Sequence, residues 1–249
     1  GAAKYITTHN ACAHIDNLYD VVKGVEFWLD VDGVFVLEVG YLVDVYSNTW
    51  FDTIYHEHLD YHTVAPFEIL FARVGMVVVG VERISPQGGS IRVMAQKQCG
   101  VLERDGSVDE LISLEHDLGL DQAETLRKFD DKISKVGKKL QKLVQEIKSG
   151  GKTIAGFGAP TKTTTLMVHF GLDDNFLDFI VDDNPLKQGL FTPVTHIPVL
   201  SADALYDLKP DYVLILAWNF AEPIMKMHER YGTDIGRFIV PMPDPGIII

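Results

Sequence analysis

Between residues 51 and 63 the chain reads FDTIYHEHLDYHT, a run that holds His56, Glu57, His58 and His62, with Tyr55 and Tyr61 beside them. Three readings fit: a metal site, a proton-handling site, or a polar turn. On extended backbone His56 and His58 share one face and Tyr55 and Glu57 the other; on a helix His58 and His62 share a face. Either geometry offers two imidazole ligands, and HxH with a third histidine is a zinc pattern. Against zinc, the segment lacks HExxH, and His9 and His14 precede its histidines by more than forty residues. Proton transfer needs less. Imidazole titrates near ~6.5, close to operating pH, so it can take a proton without retuning. A neighbouring carboxylate can hold a substrate hydroxyl or orient an imidazole, and a tyrosine can donate to a developing oxyanion. The set suits removal of a proton next to a ketone, followed by attack of the enolate on an electrophile.

A second constellation stands at TIAGFGAPTKTTTL, residues 153–166. It follows the order strand, glycine turn, helix. Gly156 and Gly158 permit a tight turn and close approach of a ligand. Pro160 suits a first helical turn, whose free N–H groups can meet a phosphate, with Lys162 adding a point charge. Two phosphate motifs nearly fit. A Walker loop needs Gly-Lys-Thr/Ser at its end, whereas here the lysine follows Thr161, and Thr161 also replaces the third glycine of the dinucleotide fingerprint. Asp182 and Asp183, at the end of the next apolar run, stand where a ribose hydroxyl could be held. A nucleotide or diphosphate ligand and a bare βα turn both remain open.

These segments need a scaffold, and 249 residues suffice for one or two domains with ordinary cores. Apolar residues make up 47% and charged residues 23%, as in globular proteins. A net charge of −13 argues against bulk nucleic-acid binding, which relies on phosphate neutralisation. The basic stretch 132–148 alternates lysines with apolar residues, as a solvated helix face does. Cys12 and Cys99 form no CxxC, which fits a reducing compartment. No apolar run reaches membrane-spanning length and no leader precedes the first strand, so a cytoplasmic protein without a membrane partner is expected.

The pattern of elements predicts an α/β protein in three zones. Residues 1–98 read as strands KYITTHN and GVFVLEVGY, both buried, around helix IDNLYDVVKGVEFWL. A helix TVAPFEILFARVG follows, with Thr63 as N-cap and Gly75 as stop, then an antiparallel hairpin MVVVGVERI/SIRVMAQ. Residues 99–150 read as a helical connector, with Leu126, Phe129, Ile133, Val136, Leu140, Leu143 and Ile147 in a heptad seam that could pack on its own chain or zip a dimer. Residues 151–249 alternate strands and helices, as in a Rossmann-like doubly wound parallel sheet.

Taken with VDDNPLKQG and LILAWNFA, these segments resemble the S-adenosylmethionine-dependent sugar C-methyltransferases of deoxysugar pathways, in matching order over nearly the whole chain. The resemblance implies methyl transfer to C3 of a nucleoside-diphosphate 4-keto-6-deoxysugar. It implies Tyr55, Glu57 and His58 in the active site, with His58 as base, and His14 of ACAHID as a further site residue. The C-terminal domain, with Gly156, Gly158, Lys162 and Asp182, would hold the nucleoside-diphosphate sugar.

Family members begin with a zinc-binding cysteine domain and the half of the methyltransferase fold that carries the donor's glycine loop. This chain begins with what resembles the fourth strand of that fold. The expectation is therefore a piece of a longer protein: a second half-sheet, a helical connector, and the Rossmann-like domain. Its S-adenosylmethionine site would be incomplete, with no cofactor residue assignable and zinc confined to the preceding part. Strand KYITT would have an uncovered edge, which a homodimer partner could fill. The rival readings are an NAD(P)-dependent oxidoreductase using the GFG turn and a non-catalytic binding remnant.

Overall fold

The computed structural model describes residues 1–248 and divides into two compact units, residues 1–50 with 56–129, and residues 51–55 with 130–249. The fold is mixed α/β, as the alternation of apolar runs indicates.

The first unit contains β1 (Ala3–His9), α1 (Leu18–Trp28), β2 (Leu29–Gly40), α2 (Leu42–Asn48), α3 (Val64–Ala72), β3 (Met76–Ile84), β4 (Ser90–Lys97) and α4 (Ser107–Asp117). Its sheet runs β1-β2-β4-β3, with β1 parallel to β2 and the other pairs antiparallel. β2 and β4 occupy the centre, and Leu37, Val39, Ile91 and Val93 meet Phe67 and Phe71 of α3 in the core. Asn17 starts α1 by accepting the backbone N–H of Asp20 at 3.3 Å, and Val22 and Val25 turn inward. Gly75, at φ +76, follows the end of α3 as its stop signal suggests.

β1 differs from the expected buried strand. None of its seven residues is buried, and Tyr5 is 77% exposed. It lies at the sheet edge, where a polar sequence such as TTH can face water on both sides.

The second unit contains most of α5 (Ala123–Ser149), then β5 (Ile154–Phe157), α6 (Thr161–His169), β6 (Phe179–Val181), β7 (Val199–Leu200), α7 (Ala204–Asp207), β8 (Tyr212–Ile215), α8 (Ala221–Met227), α9 (Glu229–Asp234), β9 (Arg237–Val240) and β10 (Gly246–Ile248). The sheet order is β10-β9-β8-β5-β6-β7, parallel throughout except for β10. Order reverses at β5, the first strand, so the crevice above β5 and β8 is the topological switch point where ligands of such sheets bind. Phe157, Val181, Val213 and Ile215 pack with Leu205, Ile224 and Tyr231.

Two details depart from the sequence pattern. The C-terminal GII pairs as a short antiparallel strand that no periodicity announces. The buried face of α5 comprises Phe129, Ile133, Val136, Leu140, Val144 and Ile147, while Leu126 is half-exposed and Leu143 yields to Val144. A straight helix advances 3.6 residues per turn, so a strict heptad drifts off its face.

Candidate active site

In the first unit β1 leads into a 3-10 turn, Cys12–His14, fixed by the fully buried Cys12 and by the Asn10 N–H, which donates to the Glu38 carbonyl at 2.8 Å. Two bonds join this turn to the histidine segment. The Leu59 N–H donates to the Ala13 carbonyl at 2.8 Å, and the His14 Nδ1 bonds the Glu57 carbonyl at 2.7 Å. A carbonyl only accepts, so the proton sits on Nδ1 and the Nε2 of neutral His14 keeps its lone pair. The rings of His14 and His58 then lie side by side, tilted by 50° with centroids 5.0 Å apart, and Tyr61 meets His58 edge-on at 6.3 Å. Two imidazoles that the sequence separates by forty-four positions form one cluster. Glu57 contributes its carbonyl to it; its carboxylate is exposed, 4.0 Å from His56.

The remaining histidine serves packing. His62 is buried and stacked on Phe67 at 4.9 Å, and its Nε2 has no hydrogen-bond partner. Burial lowers its pKa, so the ring is neutral. Just beyond it, Thr63 occupies the N-cap position of α3 without a side-chain cap. Buried Glu115 from α4 takes that role, accepting the N–H groups of Val64 at 2.7 Å and Ala65 at 3.3 Å and the Tyr41 hydroxyl at 2.9 Å. Burial, together with that carboxylate, pushes the Tyr41 phenol up. The exit from the histidine segment is thus held by a carboxylate at a helix N-terminus. At the carboxyl end of β2, Arg92 holds the buried Glu38 below the usual carboxylate range, and His9 lies 3.5 Å from it.

Tyr55 belongs to the second unit. The segment leading to it starts with the 3-10 turn Phe51–Thr53, whose Phe51 ring packs on His169 and Phe170 at 5.1 and 4.9 Å. Thr165 of α6 donates to the Ile54 carbonyl at 3.4 Å. Asp52 is 1% exposed and accepts the Trp218 indole N–H at 2.8 Å.

Gly158 has φ +93, and a Cβ there would come 2.6 Å from the Ala217 Cβ. Gly156 lies in β5, where a Cβ would meet Leu216 and Ile180 at 2.7 and 2.8 Å. Both glycines let the chain after β8 close over the turn, and α6 starts directly behind it. Lys162, in the first turn of α6, bonds the Asn219 Oδ1 and lies 5.9 Å from the Trp218 ring centroid. Burial lowers its pKa while Asp52 opposes that shift. Asp182, at the end of β6, accepts from the N–H groups of Ala159 at 2.7 Å and Asn184 at 2.9 Å and from Lys187 at 3.1 Å. Burial pushes its carboxyl up, but these donors outweigh it and hold it below the usual range. In this state Asp182 ties the glycine turn to the loop after β6.

His14, Glu57 and His58 therefore come together in the first unit, and Tyr55, Gly156, Gly158, Lys162 and Asp182 lie in the second. Asp52, Trp218, Asn219 and Glu115 were not singled out by sequence. WN after the apolar run of β8 was the available signal, since polar residues at a strand's carboxyl end face the switch point. Among the described residues no group of three or more His, Cys, Asp or Glu is arranged around a metal ion. No helix of the described residues is long and apolar enough to cross a membrane.

A mixed α/β chain with paired histidines in one unit and a doubly wound sheet with a glycine turn in the other defines the class. The chain belongs to the C-methyltransferase C-terminal domain family, whose model matches residues 85–243. It is similar to C-methyltransferase NovU of Streptomyces niveus, with 37% identity over 248 residues, covering 100% of this chain and 59% of that protein. The chain thus spans about three-fifths of the relative's length. The histidine segment lies outside the family match and inside the stretch shared with the relative.

Proposed function

We propose that this chain carries the proton-handling and nucleotide-sugar-binding parts of a C-methyltransferase acting on C3 of a nucleoside-diphosphate 4-keto-6-deoxysugar. The observation that carries the reading is the His14–His58 pair, 5.0 Å between centroids, with the His14 tautomer fixed by the Glu57 carbonyl. His58 removes the C3 proton, and the C3–H electrons move into a C3–C4 double bond, leaving an oxyanion at C4. Tyr55 donates to that oxygen. The Nε2 of His14 accepts a sugar hydroxyl, and the carboxylate of Glu57 holds another. Lys162 and the N–H groups at the start of α6 take the diphosphate, with Gly156 and Gly158 shaping the turn. S-adenosylmethionine supplies a methyl group on a cationic sulfur, a suitable electrophile for an enolate carbon; no residue of this chain is assigned to hold it. Among partners, the reading includes the nucleotide sugar and a second copy against the open edge of β1.

The test is hydrogen exchange. Given the nucleotide sugar in deuterated water without methyl donor, the protein should place deuterium at C3. Absence of exchange, together with tight binding of NAD(P) by calorimetry, would replace this reading with a redox one.

A further inference from the structure

Asp52 stands out among the groups that the proposed chemistry leaves unused. It is a carboxylate 1% exposed, and its Oδ1 has no hydrogen-bond partner. A half-satisfied buried acid weakens folding, and a neutral residue of similar shape would fit the same hole at lower cost. Burial pushes the Asp52 carboxyl up, and Lys162 and the Trp218 N–H oppose that shift by favouring the carboxylate. Oδ2 accepts the Trp218 N–H at 2.8 Å, and the carboxylate attracts Lys162, whose ammonium lies near the Trp218 ring and bonds Asn219. Trp218 and Asn219 lie just beyond β8, which ends at Ile215, on the switch-point side of the sheet. Asp52 also sits three residues before Tyr55, on the turn that Phe51 and Ile54 dock against α6. One carboxylate therefore contacts both the carrier of Tyr55 and the surroundings of the diphosphate-binding lysine, all within the second unit.

We infer that Asp52 is a positioning residue: through Trp218 it holds the Tyr55 segment on the second unit, and through its charge it aims Lys162 into the switch-point crevice. The inference rests on the proposed function. Two contributions can be separated by substitution. Asp52→Asn keeps an oxygen for the indole N–H and removes the charge facing Lys162. Trp218→Phe keeps a ring beside Lys162 and removes the indole donor.

The experiment compares both variants with the unaltered protein in three measurements: affinity for UDP and dTDP by calorimetry, C3 exchange at saturating nucleotide sugar, and chymotryptic cleavage after Phe51 or Tyr55. Asp52→Asn should weaken diphosphate binding about tenfold, the effect of ~1.4 kcal/mol. Trp218→Phe should leave binding within about twofold and slow exchange at saturation about tenfold, because the Tyr55 segment is no longer moored. Trp218→Phe should also speed cleavage in the 51–55 segment. A purely structural role would lower thermal stability and leave the affinity and exchange rate of the folded protein unchanged; that result overturns the inference. Cleavage needs no substrate, so an unchanged rate in Trp218→Phe refutes the mooring whatever the substrate is. Unaltered protein that neither binds nucleotide nor exchanges C3 refutes the functional reading itself.

Discussion

The Nδ1 of His14 donates to the backbone carbonyl of Glu57 at 2.7 Å, and this bond leaves the opposite ring nitrogen as an acceptor beside His58. The two ring nitrogens can be replaced one at a time. An asparagine amide can reproduce the Nδ1 donor but not Nε2. His14→Asn should therefore melt close to the unaltered protein and lose exchange activity by about a hundredfold, within the range of a lost acid–base or orienting group. His14→Ala, which also drops the tether, should unfold more easily. Thermal melts and exchange rates measured on both variants check this.

Glu115 is predicted to hold the far end of the same segment. Its side chain accepts two N–H groups at a helix N-terminus and is 5% exposed. Glu115→Ala strips three donors of their acceptor and should destabilise the protein by about 2–4 kcal/mol. Tyr41→Phe should cost about 1 kcal/mol. Because the two side chains share a bond, urea denaturation of the pair should show non-additive losses.

How much of this could be read without coordinates differs by element. The glycine turn at 156–158, the hairpin 76–97 and the parallel order of the second sheet follow from local grammar: apolar runs, turn residues and short connections. The resemblance singled out His14 and His58, but their contact depends on a tertiary bond to a main-chain carbonyl, which carries no side-chain signature. Glu115 lies fifty-one positions from Val64, whose N–H it caps, and in sequence it looks like any helix-surface acid. Thr63 satisfied the local capping rule and was displaced by that stronger charged acceptor. Asp52 was hidden in the same way, because only the fold supplies Trp218.

Gly158 makes a stringent local prediction. Its φ of +93 and the 2.6 Å approach to Ala217 leave no room for a methyl group. Gly158→Ala should destabilise the second unit by about 2–4 kcal/mol, combining backbone strain with overpacking. Nucleotide affinity should fall as well, since the same turn starts α6. Denaturation and calorimetry on one preparation give both numbers.

Acid sensitivity should include a contribution from Asp211. Its carboxylate accepts from the Thr153 N–H at 2.9 Å and from Lys152, which hold its pKa down to about 2 from an ordinary value of 3.8. The folded state thus binds this proton less readily than the unfolded chain does. The stabilisation is complete above the unfolded value and is lost as pH falls through the folded one, between about 4 and 2. Solvent screening of this partly exposed group limits it to about 1–2 kcal/mol. Asp211→Asn should flatten the stability–pH curve in that window; an unchanged curve would remove Asp211 from the account.

The most direct test follows the proton itself. Deuterium entry at C3 of the 4-keto sugar should be readily seen by NMR with the unaltered protein and should fall by about a thousandfold or more in His58→Asn, at unchanged nucleotide affinity. Exchange retained at the original rate in that variant would contradict the assignment of His58 as the base.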